Sequence, residues 1–177
     1  MSKRILLPFT ALALTIVAGC GGSNSNDDDN NGGGGLPIPT GTVRFSNASP
    51  DYSGGSTDLV ANSGTILSDG TTYSVSIDNS SRKLYIAFPA ASATPGTTLT
   101  FNGSVTGAVA TYSIPVGGTL DTSRWEAKAG TVTLVSKTST QALFRLTGLY
   151  FTPVTGSTGA QGTFTLNGTI VGTPIQN

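Results

Sequence analysis

From about residue 41 onward, short runs with an apolar residue at every second position recur along the chain. Val43 and Phe45 alternate with polar neighbours in 42–47, and Tyr73, Val75 and Ile77 do so in 71–78. Leu84, Ile86 and Phe88 follow, then Leu99 and Phe101, then less regularly Val109 and Ile114, with Tyr112 in phase with Ile114. Val132 with Leu134, Phe144 with Leu146, and Phe164 with Leu166 complete the series. A period of two, enriched in β-branched and aromatic residues, marks strands buried on one face. No window of a dozen residues carries a 3.6-residue apolar stripe. The nearest thing to a helix is 122–129, too short to stand as one.

Turn residues separate these runs at intervals of 8 to 15 residues. Asp69-Gly70 lies between Ile66-Leu67 and the Tyr73 run, and a turn over 79–82 precedes Leu84. Asn102-Gly103 and Asn167-Gly168 each sit between two candidate strands. Both residues of Asn-Gly and Asp-Gly tolerate the positive φ of a type I′ turn, so three tight hairpins are expected. Pro95-Gly96 suits a type II turn. Eight to eleven short antiparallel strands follow, an all-β domain over 41–177 built as a β-sandwich, with a β-barrel as the alternative. The segments 98–107 and 163–172 match in character at nearly every position. Two hairpins converging on the same turn account for that more simply than a duplicated half-domain.

The first forty residues follow different rules. Lys3 and Arg4 precede an apolar run from Ile5 to Val17, and Val17-Ala18-Gly19-Cys20 closes it. A charged start, a short apolar stretch and small residues before a cut are the marks of a signal peptide. The run is shorter than the roughly 20 apolar residues of a membrane-spanning helix and is interrupted by Pro8, Thr10 and Thr15. Residues 17–20 resemble the lipobox of bacterial lipoproteins, which implies cleavage after Gly19 and a lipid on Cys20. Gly21 is similar to the residue found there in outer-membrane lipoproteins of Gram-negative bacteria, where Asp would imply inner-membrane retention. The resemblance implies a cell-envelope protein held by its lipid, at the outer membrane on its periplasmic or surface face. From Trp125 to Gly172 the chain also loosely resembles the C-terminal part of secreted β-sandwich lipoprotein domains of unknown function, which implies no activity. Cys20 is the only cysteine, so no disulfide can form within one chain.

Residues 20–40 read as a lipidated flexible linker of Gly, Ser, Asn and Asp, stiffened at its end by Pro37 and Pro39. A Gly-rich coil of that length spans on the order of 25 Å. Asp27-Asp28-Asp29 lacks the alternate ligands, central Gly and closing Glu of a calcium loop, so it reads as a solvated spacer.

Composition narrows the chemistry. Charged residues are only 10% of the chain, and without Lys3 and Arg4 seven basic residues face nine acidic ones. Such a balance offers nothing to nucleic acid. There is no histidine, which removes the usual general base and the usual zinc ligand. The glycine runs at 32–35 and 117–118 lack the Lys-Ser/Thr of a phosphate loop. Asn47, Asn79, Asn102 and Asn167 match the glycosylation pattern, which a bacterial lipoprotein leaves bare.

Six carboxylates remain in 41–177, and Asp121 and Glu126 flank Arg124 and the single tryptophan, Trp125. A glycosidase needs two carboxylates across the scissile bond. Trp125 either fills the core, giving its N–H to a loop carbonyl, or stacks on a sugar as an exposed platform. The expected function is a non-catalytic binding, adhesive or envelope-structural module. It needs no cofactor or metal, and its partners are the membrane through Cys20 and an envelope protein or glycan. The alternatives are a carbohydrate-binding module using Trp125 and, less favoured, a carboxylate-dependent glycan hydrolase.

Overall fold

The structure, a computed structural model, describes residues 37–46, 58–79, 82–102, 107–116, 119–157 and 159–175, with backbone alone at 46, 115–116 and 119–122. The expected signal peptide, Cys20, nearly all of the expected linker, and Gly103 of the expected Asn102-Gly103 turn lie outside those residues.

Ten strands make up almost all of it: β1 (Thr42–Ser46), β2 (Asp58–Val60), β3 (Gly64–Ser68), β4 (Thr72–Asn79), β5 (Arg82–Pro89), β6 (Thr98–Phe101), β7 (Val109–Val116), β8 (Thr119–Lys137), β9 (Ala142–Pro153) and β10 (Phe164–Pro174). One 3₁₀ turn over Ala90–Ser92 is the sole helical piece among the described residues. The all-β expectation holds, and hydrogen bonding closes the ladder into the barrel alternative. A ring of seven strands runs β10–β3–β4–β5–β7–β8–β9 and back to β10. Every pair in it is antiparallel except β10–β3, which is parallel, with Gly172 beside Gly64 and Pro174 beside Ile66. β1 and β2 extend the sheet from the first half of β10, and β6 lies along the second half of β8.

Alternation directs the core as the sequence implies. Tyr73, Val75 and Ile77 of β4 and Leu84, Ile86 and Phe88 of β5 are all buried. Around Phe164 the rings of Phe45, Tyr112, Trp125 and Phe151 gather, with Phe151 stacked at 5.0 Å between centroids. A second group joins Tyr73, Phe88 and Phe144, and the Lys137 ammonium sits 4.6 Å from the centre of the Tyr73 ring while donating to the Ala93 carbonyl. Side chains thus fill the barrel as they do other small closed barrels.

Two of the expected turns join neighbouring strands. Ser68 pairs with Tyr73 and the Asp69 N–H donates to the Thr72 carbonyl, so the β3–β4 turn centres on Gly70-Thr71 rather than Asp69-Gly70, and Asn79 pairs with Arg82. The Pro95-Gly96 turn also forms: Thr97 donates to the Thr94 carbonyl and Gly96 has φ +89°.

Asn167-Gly168 behaves differently from its expected hairpin, because β10 runs straight through it. Its flanks find partners on three distant strands, β1, β3 and β9, and that pairing outweighs local turn preference. The positive φ is still used, at +133°, to press the Gly168 backbone against Thr42 and Val43. Beside it the Asn167 side-chain oxygen accepts the Gly148 N–H at 2.7 Å.

The long strands β8 and β9 each change phase once. Trp125 and Ala127 face inward on β8, then Val132 and Leu134 do. Phe144 and Leu146 face inward on β9, then Leu149 and Phe151 do. The β8–β9 register shifts between Ala127 and Ala129 and again between Ala129 and Thr131, which is where bulges let a strand rotate its face. Gly130 and Gly148 meet there with φ +98° and +56°. A methyl group on Gly130 would collide with the Gly148 carbonyl and the Leu149 backbone.

Gly130→Ala therefore combines a backbone collision with an unfavourable φ, and should cost more than about 3 kcal/mol in urea unfolding. Gly70→Ala, at φ +87° with open space around it, isolates the conformational part and should cost about 1 kcal/mol. Equal losses in the two variants would show that the β8–β9 crossing is not tight.

Candidate functional site

The segment 121–126, singled out by its chemistry, lies within β8 and is extended throughout. In a strand successive side chains point to opposite faces. Trp125 points inward with no exposed surface, and its indole N–H donates to the Gly162 carbonyl at 3.2 Å. Its neighbours Arg124 and Glu126 point outward. The indole and the Glu126 carboxylate are therefore on opposite sides of the barrel wall, and Trp125 occupies the core position rather than that of a sugar platform.

Glu126 pairs with Lys128 at 2.7 Å on the surface. Arg124 anchors the chain by its backbone, accepting from the Val154 N–H and donating to the Ser157 hydroxyl. The rise along an extended strand puts the α-carbons of Asp121 and Glu126 roughly 17 Å apart. That exceeds the carboxylate spacing of either glycosidase geometry, at most about 9.5 Å. Among the described residues no three His, Cys, Asp or Glu side chains gather in one place.

Two of the other carboxylates have structural work. Asp58 grips Arg44 through two hydrogen bonds, at 2.9 and 3.0 Å, joining β1 to β2. Asp69 closes the β3–β4 turn by accepting from the Thr72 N–H, the Thr71 hydroxyl and the Thr71 N–H. Those bonds, the Thr72 N–H first, draw its carboxyl down to about 2. Inside, burial pushes the Tyr73 phenol up, and its hydroxyl has no hydrogen-bond partner among the described residues.

With the interior filled, the outer wall is what the domain presents. Four large aliphatic side chains are about half exposed: Val60 (54%), Leu67 (50%), Val109 (43%) and Ile175 (51%). Ile175 follows β10, and its N–H donates to the Ile66 carbonyl, one residue before Leu67 on β3. Val171 and Leu143, paired across β10 and β9 between inward-facing neighbours, add two half-buried aliphatics to the same wall. Nothing in the sequence distinguished this surface. Leu67 follows Ile66 directly, and only the register shows which of the two faces out.

No protein-family model, curated protein or solved structure matches the chain.

Two measurements check this assignment. Trp125 fluorescence should resist quenching by acrylamide in the folded protein, and ready quenching would put the ring at the surface. For Asp69, a depressed folded pKa stabilises the fold above the unfolded value near 3.9 and loses that contribution as pH falls toward about 2. Wild-type stability should therefore drop between pH 4 and 2, and the Asp69→Asn curve should be flatter over that window. Parallel curves would show that the turn does not hold its carboxylate.

Proposed function

We propose that this protein is a lipid-anchored module of the bacterial cell envelope that acts by binding or support from its outer surface, without catalysis. The observation that carries this reading is a barrel filled to its axis. Tyr112, Trp125, Phe151 and Phe164 are each at most 1% exposed, so contact with a partner falls to the outer wall. The lipobox-like residues 17–20 and the polar linker after them supply the anchor, with lipid on Cys20. Two or three acyl chains hold a protein to a bilayer firmly, where a single chain holds only marginally.

Outer-membrane residence, on either face, follows from Gly21 after the cysteine. The partners on this reading are the membrane itself and an envelope protein or glycan. The near-neutral charge of residues 20–177 gives nucleic acid no purchase.

In cells grown with labelled palmitate, the wild-type chain should take up label and fractionate with membranes. Cys20→Ala should do neither and should accumulate as an uncleaved precursor. Continued labelling of that variant would refute the processing site.

A further inference from the structure

We infer that the outer wall formed by β2, β10, β3 and the adjoining part of β9 rests on the lipid surface, so that the tether both holds the barrel and fixes which side faces the bilayer. This rests on the anchoring reading and adds an orientation to it.

The position of the tether is the first argument. The chain enters the described domain at Pro37, and Gly41 donates to the Thr169 hydroxyl of β10 at 2.7 Å. The Gly41 carbonyl accepts the Ala61 N–H at 2.7 Å, and the Ala61 carbonyl accepts the Val171 N–H at 2.8 Å. The linker therefore joins the barrel beside Val171, on the wall that carries Leu143, Ile175, Leu67 and Val60. A linker of some 20 residues keeps that wall close to the bilayer, at an effective concentration in the millimolar range.

Charge is the second argument. The outward positions on this wall are hydroxyls and aliphatics, Thr65 and Leu67 on β3 and Val171 and Thr173 on β10. Charged groups stand at its edges, where Arg145 lies opposite Thr169 on one side and Asp58 of β2 neutralises Arg44 of β1 on the other. A guanidinium at such an edge can reach headgroup phosphates while its stem covers apolar surface. On the neighbouring strands Asp78 and Lys83 stand opposite each other at the end of the β4–β5 ladder, beyond the last β3–β4 pair, Thr65 with Ser76.

Size decides between lipid and protein. A stable protein interface takes about 800 Å² from each partner. A few half-exposed aliphatics spread over β2, β3, β9 and β10 offer less than that. A fluid bilayer needs no matching shape, and an affinity too weak to recruit a free protein is enough to orient a tethered one.

The test uses the full chain, produced as a lipoprotein and reconstituted in phosphatidylcholine vesicles carrying nitroxide-labelled lipid. Because a lipidated Cys20 has no free thiol, single cysteines can be labelled with a fluorescent maleimide at Leu67→Cys, Ile175→Cys and, as the control, Lys83→Cys. The expected result is an unlabelled wild type that floats with vesicles, and quenching by nitroxide lipid several-fold stronger at positions 67 and 175 than at 83. Equal quenching at all three positions, with the wild type still floating, would overturn the orientation and leave the anchor standing. Maleimide uptake by the wild type would overturn the anchor and the orientation with it. Cross-links between position 67 of two copies, without quenching by lipid, would overturn the orientation by making this wall an interface between copies.

Discussion

The approach of Gly130 to Gly148 is the constraint on which the barrel depends. β8 and β9 are the two longest strands, and each buries one parity of residues before this point and the other parity after it. A strand without a bulge would turn its second half inside out, putting Val132 and Leu134, or Leu149 and Phe151, in water. The two glycines allow both strands to rotate at the same level with their backbones in contact. The face change lets the first half of β8 pair with β7 and the second half with β6, while β9 follows it along the whole shared length. Asn167 fastens the same level from β10 by accepting the Gly148 N–H.

Much of this was legible in the sequence, and its limits have identifiable causes. Period-two alternation located β1, β4, β5, β6 and β7 because each keeps one parity over its length. It found β8 and β9 only in pieces, around Val132 and Phe144, since a phase change inside a strand looks like a break between two. The stretch 122–129 resembled a short helix for the same reason. Turn chemistry was reliable at Asp69-Gly70, where the flanking strands are each other's neighbours, and at Pro95-Gly96, in the connection from β5 to β6. At Asn167-Gly168 the same residues serve a strand interior, because their partners come from far away. The parallel β10–β3 pair, which closes the ring, leaves no local signal of any kind.

The candidate site shows the same limit in chemical form. Arg124, Trp125 and Glu126 looked like one constellation because they are adjacent in the chain. Extended backbone sends the indole to the aromatic cluster around Phe164 and the two charges to solvent. Adjacency in a strand separates side chains that adjacency in a loop could bring together. What the fold assembles instead is a surface drawn from β2, β3, β9 and β10, whose members are scattered from Val60 to Ile175. No motif could have announced it.

Closure through β10 has a consequence for how the protein is made. Gly41 and Thr169, bonded in the finished domain, stand 128 positions apart. β1, β3 and β9 all wait for the same late-arriving strand, so the first two have unmet backbone edges until nearly the whole chain has emerged. Bringing such distant segments together is entropically slow, and open sheet edges invite wrong partners in the interval. For a polypeptide delivered N-terminus first, that interval lasts until β10 arrives.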